Sequence, residues 1–188
     1  MDTILVVVSG VMGKMGQQVL SAVTEAPDTK AIGAVDKFAG DLGCIDLPDG
    51  SGQIPISSSI EDVIDGANVV IDFSSPAGAM NAIRFGSSNG ANVVIGTTGI
   101  DEKIISEANS VTTKTNTGVV IAPNFAMGAV LMMYLVEKSS RFFDFADLTE
   151  AHHEAKIDSP SGTAIAIANS MVKGKPEGFE STISESEP

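Results

Sequence analysis

The sequence predicts an α/β protein: a doubly wound parallel sheet with helices on both faces, followed by a second, smaller α+β region. Three observations carry this. Short β-branched runs alternate with helical stretches over the first two-thirds of the chain, the order that a parallel sheet with crossover helices requires. The first run ends in a glycine-rich turn that opens a helix. After Pro123 the alternation stops and a long helical pattern begins.

In chain order, residues 3–8 are apolar almost without interruption and read as a strand buried on both faces. A helix follows from about Lys14 to Glu25, and residues 31–35 form the second strand. Residues 38–58 hold Gly40, Gly43, Pro48, Gly50, Gly52 and Pro55, which predicts a long surface loop. Ser59 is placed to cap a short helix that carries Glu61 and Asp62 in its first turn. Residues 68–73 and 92–95 are further strands, each preceded by a helix, and residues 119–122 make another. Met127, Val130, Leu131, Tyr134 and Leu135 share one face of an amphipathic helix that reaches about Arg141. Residues 143–149 read as a strand, 151–161 as a polar loop, and the next helix runs through Val172. The acidic end, 173–188, is rich in Gly, Ser and Pro and is expected to be mobile unless a partner orders it. The domain boundary falls between residues 124 and 125.

The 188 residues are 43% apolar and 19% charged, an ordinary globular composition. The longest apolar runs (4–8, 69–71 and 93–95) are far too short to span a bilayer, so no membrane role is expected. Met1-Asp2-Thr3 has no basic region, and no signal peptide is predicted. Cys44 is the only cysteine, which precludes an intrachain disulfide and fits a reducing, cytoplasmic compartment. The net charge of −13 argues against a general nucleic-acid binder, because neutralising phosphates takes a basic surface. An anionic ligand would bind only where local Lys, Arg or helix N-termini overcome that field.

The glycine turn carries the first chemistry. Gly10, Gly13 and Gly16 are spaced G-x-x-G-x-x-G between a strand and a helix. Such glycines permit a tight turn and let backbone N–H groups approach a pyrophosphate at the helix N-terminus. Asp36 ends the second strand 20 positions beyond Gly16, where an acid bonds the ribose hydroxyls of a dinucleotide. Lys37 follows it, and its charge suits a 2′-phosphate, so NADH and NADPH both remain open. Lys14 is a further candidate for a phosphate contact. A P-loop is excluded: Met15 follows Gly13-Lys14 where Ser or Thr is required. The fold is therefore read as Rossmann-type. The turns Phe73-Ser74-Ser75-Pro76 and Gly96-Thr97-Thr98-Gly99 lie at strand ends, on the rim where open α/β sheets bind ligands.

Residues 150–164 carry the second. This segment holds both histidines, His152 and His153, with Lys156 four residues after the first. It ends in Ser161-Gly162-Thr163 at a helix start, where free N–H groups can hold a carboxylate. A histidine can give a proton to a carbanion-like carbon. A lysine can stabilise negative charge on the substrate or transition state. A reductase of a polarised C=C or C=N bond divides its work in this way, the cofactor giving hydride and the protein a proton. No metal is expected, since His153-Glu154 lacks the second histidine of H-E-x-x-H. A serine hydrolase is excluded because Ser161 stands in Ser-Pro-Ser-Gly and not in a nucleophile elbow.

These motifs together resemble the dihydrodipicolinate (4-hydroxy-tetrahydrodipicolinate) reductases of lysine and diaminopimelate biosynthesis. The matching pieces run in order from the glycine turn through Ile71-Asp72-Phe73-Ser74, Gly96-Thr97-Thr98-Gly99 and Ala122-Pro123-Asn124-Phe125-Ala126-Met127-Gly128 to the histidine segment. The resemblance implies that Gly10, Val11, Met12, Gly13, Lys14, Met15 and Gly16 bind the dinucleotide with Asp36 and Lys37. It places Phe73, Gly96, Thr97, Thr98, Pro123, Asn124 and Phe125 on the cofactor as well, the last six around its nicotinamide end. It makes His152 the general acid, assisted by Lys156. His153, Lys156, Ser161, Gly162 and Thr163 become the groups that hold a small dicarboxylate substrate. Hydride would pass from NADH or NADPH to the ring C4. The family's substrate domain usually continues through several more strands, so here it is expected to be abbreviated and a homo-oligomer, most simply a dimer, to cover its apolar surface. Reduction of another small carboxylated imine, or dinucleotide binding in a non-catalytic regulatory protein, are the alternative functions.

Overall fold

The computed structural model describes residues 2–122, 124–152, 154 and 159–180. The chain forms two compact units, residues 1–122 and 123–188.

The first unit is a seven-stranded sheet. Its strands are β1 (Ile4–Ser9), β2 (Thr29–Val35), β3 (Cys44–Asp46), β4 (Gln53–Ser57), β5 (Val69–Asp72), β6 (Asn92–Ile95) and β7 (Val119–Ile121). Their spatial order is β3-β4-β2-β1-β5-β6-β7. All neighbours pair in parallel except β3 with β4. The order reverses direction at β1, so β1 and β5 flank the switch point of a doubly wound sheet. Helix α1 (Lys14–Glu25) follows β1, α2 (Pro76–Asn81) follows β5 and runs into a π-helical turn at Ala82–Gly86, and α3 (Glu102–Thr115) follows β6.

The alternation within β1 shows why the strand reads as apolar throughout. Val6 and Val8 pack on one face with Leu20 and Val23 of α1, whereas Val7 packs on the other with Ile83 and Ile104. All three valines are essentially inaccessible. A strand covered on both faces has no polar side to show.

The expected long loop at 38–58 is corrected by the structure. It contains the antiparallel pair β3–β4, with Cys44 opposite Pro55 and Asp46 opposite Gln53. Within β4, Ile54 and Ile56 point into the core while Pro55 faces out. That two-residue alternation was the strand signal, and the surrounding glycines and prolines concealed it. Ser59 stands at the N-cap of the 3-10 turn Ile60–Asp62 but makes no capping bond. Ser57 instead accepts from Ser59 N and donates to Asp62 Oδ2 at 2.5 Å.

The second unit contains α4 (Met127–Ser139), continued by a 3-10 turn at Ser140–Phe142, and α5 (Gly162–Gly174). The two helices pack closely: a Cβ on Gly174 would run into the carbonyl of Glu137. Two expectations fail here. The stripe Met127, Val130, Leu131, Tyr134 and Leu135 is exposed, and the face turned inward carries Ala129, Met133, Val136 and Ser140. Helix α4 is apolar on both sides, so its pattern could not tell which side packs. Residues 143–149 do not form a strand, because among the described residues no strand lies beside them to pair with. Lys175, 7% exposed, holds their start by donating from Nζ to Phe143 O at 2.7 Å and to Asp144 Oδ1 at 3.2 Å. Lys175 thus packs against residues 143–144 at the start of the acidic end, and residues 181–188 lie outside the described residues.

Candidate active site

The site of the first unit is built where β1 meets α1. Gly10 leaves the sheet with φ +81°, and a Cβ there would overlap the carbonyl of Phe73 on the neighbouring turn. A Cβ on Gly16 would fall on the carbonyl of Gly10, so glycine is what lets the helix start against the turn. Gly10 N donates to Val35 O at 2.8 Å and Gly13 N to Gly10 O at 3.1 Å. The first helix-type bond at this end runs from Gln17 N to Gly13 O. Among the described residues, nothing accepts from the N–H groups of Lys14, Met15 and Gly16, which leaves a helix N-terminus open to an anion.

Asp36, 8% exposed, joins this turn to the end of β2. One carboxylate oxygen accepts from Met12 N at 2.9 Å and the other from Phe38 N at 3.0 Å. Lys37 lies with its Nζ 4.7 Å from the Phe38 ring centre. Gly10, Met12, Gly13, Asp36, Lys37 and Phe73 line one cavity of about 530 Å³. The dimensions, the open helix N-terminus and the acid-plus-lysine pair all fit a nicotinamide dinucleotide. The Val11 side chain is fully buried in the core, so this residue offers the turn only its backbone.

Asp72, wholly inaccessible at the end of β5, organises the rest of the rim. It accepts hydroxyl bonds from Ser9 (2.6 Å), Ser74 (2.6 Å) and Thr97 (2.5 Å), which come from β1 and from the turns after β5 and β6. Ser74 N in turn donates to Thr97 Oγ1 at 2.8 Å. Thr97 is thus committed to the scaffold, while Thr98 is exposed beside it. A Cβ on Gly96 would enter the Phe73 ring, so this glycine lets the aromatic lie across the strand end. Reading the sequence overlooked Asp72 as an organiser. The available signal was an acid closing the otherwise apolar run Val69-Val70-Ile71.

The second unit carries the histidine segment. His152 Nδ1 lies 3.6 Å from Glu150 Oε2, and Glu150 Oε1 accepts from Ser161 N at 2.9 Å. Glu150, also missed from sequence, thereby bonds the start of α5 with one oxygen and lies near the histidine with the other. Ser161, 5% exposed, caps that helix by accepting from Ala164 N at 3.1 Å. Its hydroxyl oxygen accepts that capping bond and keeps its proton to donate. The Gly162 and Thr163 N–H groups have no acceptor among the described residues. Asn124 reaches Thr163, donating from Nδ2 to Oγ1 at 2.9 Å. Phe125 is about half exposed. Pro123, His153 and Lys156 lie outside the described residues. An open helix N-terminus with a hydroxyl beside it suits a carboxylate, and the neighbouring imidazole can exchange a proton.

Residues 4–125 match the family model for the dihydrodipicolinate reductase N-terminus, and residues 128–187 match the model for its C-terminus. The 4-hydroxy-tetrahydrodipicolinate reductase of Dehalococcoides mccartyi is 41% identical over 187 residues, covering 98% of this chain and 71% of the relative. The enzyme of the same name from Synechocystis sp. is 36% identical, covering 92% of this chain and 66% of the relative. Among solved structures, the dipicolinate-bound dihydrodipicolinate reductase of Paenisporosarcina sp. TG-14 superposes with a TM-score of 0.78 at 28% identity. That match covers 98% of this chain and 71% of the solved one.

Proposed function

The chain belongs to the dihydrodipicolinate reductase family, and from that premise we propose how its residues divide the work of a 4-hydroxy-tetrahydrodipicolinate reductase. The activity is a pyridine-nucleotide-dependent reduction in the lysine and diaminopimelate pathway. The observation that carries the residue-level reading is the start of α5, where Gly162 N and Thr163 N have no acceptor among the described residues and where Glu150, beside His152, accepts from Ser161 N.

In the first unit, the N–H groups at the start of α1 take the pyrophosphate, with Lys14 adding charge. Asp36 takes the ribose hydroxyls and Lys37 takes a 2′-phosphate when there is one, so both NADH and NADPH serve. Gly96, Thr97 and Thr98 shape the nicotinamide end, and Thr97 does so through its hold on Asp72 and Ser74. Pro123, Asn124 and Phe125 are assigned to the same end by family resemblance. When bound, the cofactor supplies the hydride for ring C4.

In the second unit, Gly162 N, Thr163 N and the Thr163 hydroxyl take a substrate carboxylate, aided by His153 and Lys156. His152 gives the proton to the neighbouring carbon, and Glu150 faces the imidazolium form of the ring with a carboxylate oxygen. The partners are a small dicarboxylate and a second copy of the chain, covering the outer stripe of α4. No helix among the described residues is long and apolar enough to cross a membrane, and the pathway suits the cytoplasm.

The test is His152→Ala. It is expected to lower kcat by about 10²–10⁴-fold while pyridine-2,6-dicarboxylate and NADH still bind in calorimetry. Near-normal turnover in that variant would remove His152 from the acid role.

A further inference from the structure

Asn124 bonds at both ends of its side-chain amide. Oδ1 accepts from Ala126 N at 2.7 Å, at the start of α4, and Nδ2 donates to Thr163 Oγ1 at 2.9 Å, at the start of α5. The first bond settles the second. A backbone N–H can only donate, so the oxygen must face Ala126 and the amine must face Thr163. Thr163 is therefore an acceptor toward Asn124, and its own hydroxyl proton has to point elsewhere. Among the described residues nothing accepts that proton, and nothing accepts from Gly162 N or Thr163 N.

We propose that Asn124 is a positioning residue for the substrate: by donating to Thr163 Oγ1 it turns the hydroxyl into a committed donor, so that three donors meet one carboxylate at the start of α5. This rests on the reading of Thr163 as a substrate group. It assigns the Asn124 side chain to the substrate, and any part this residue has toward the cofactor is left to its backbone. The amide matters through its polarity, not only its size. A carboxylate of the same shape would still accept from Ala126 N, but its second oxygen would accept the Thr163 proton and withdraw it from the ligand. It would also set a negative charge beside an anionic substrate.

The test measures pyridine-2,6-dicarboxylate binding to the full chain by calorimetry with NADH present. Asn124→Ala is expected to weaken dicarboxylate binding about tenfold, the effect of one oriented hydrogen bond to a charged group. Asn124→Asp should weaken it further despite its closer shape, and NADH affinity should stay within about twofold in both. In a Thr163→Val background, Asn124→Ala should add less than about twofold, because the hydroxyl it acts through is gone. An Asp variant milder than the Ala variant would mark a merely structural role and overturn the proposal. So would an Ala effect of equal size with and without the Thr163 hydroxyl. Both results leave Thr163 as a substrate group, whereas unchanged dicarboxylate binding in Thr163→Val alone would overturn that reading together with this one.

Discussion

Asp72 sits at the end of β5 with no exposed surface, and three hydroxyls from three chain segments donate to it. Its charge is dispersed into Ser9, Ser74 and Thr97 instead of an ion pair, so it acts as a clasp on the rim of the sheet. Asp72→Asn places an amide N–H₂ where a hydroxyl now donates. It should cost about 1–3 kcal/mol, read as a fall of several degrees in the melting temperature, with weaker NADH binding than the wild type. Lys37 offers a separable prediction. Lys37→Ala should raise KM for NADPH by about tenfold and leave KM for NADH within about twofold, since only the first cofactor carries the 2′-phosphate proposed for Lys37. Equal effects on both would show that the lysine does not discriminate. At this scale the glycine turn and the Asp36 that bonds it were legible because each has a fixed relation to its neighbours in sequence. Asp72 was not, because its partners Ser9 and Thr97 come from segments far apart, and Glu150 was not, because its bond to Ser161 N follows from how the segment folds and not from spacing.

Among the elements, β1, β5 and β6 could be placed from sequence by their runs of β-branched residues, and α1 by Leu20 and Val23, which recur at helical spacing on its buried face. The pair β3–β4 was hidden by glycines and prolines that serve its turns, with only Ile54 and Ile56 marking the buried face. The segment 143–149 has strand-like composition, yet a strand exists only through a partner, and what holds Phe143 and Asp144 here is Lys175. That exchange is testable. Lys175→Ala should speed hydrogen exchange around residues 143–146 and 176–180, while α1 and the glycine turn keep their protection. Unchanged exchange in the 143–146 segment would show that the lysine is not its anchor.

Taken whole, the chain carries a net charge of −13 yet handles an anionic substrate and an anionic cofactor. On the proposed assignment, local devices do the binding: the starts of α1 and α5, with Lys14 and Lys37 at the first of them. Because these contacts are short-range, modest salt should change substrate KM little compared with a site built on exposed lysines. The outer stripe of α4, with Met127 82% and Tyr134 58% exposed, is an apolar surface of the second unit. The proposed second copy over this stripe predicts a dimer by sizing with light scattering, and Leu131→Glu should shift that species toward monomer. A monodisperse wild-type monomer would contradict it.

The most direct measurement is the oxidation of NADH and of NADPH by the full chain, supplied with freshly generated dihydrodipicolinate-synthase product and followed by loss of reduced-nicotinamide absorbance. The account predicts turnover with both cofactors and its suppression by pyridine-2,6-dicarboxylate. Tight binding of both cofactors with no turnover of that substrate would contradict it and leave a dinucleotide-binding protein without this chemistry.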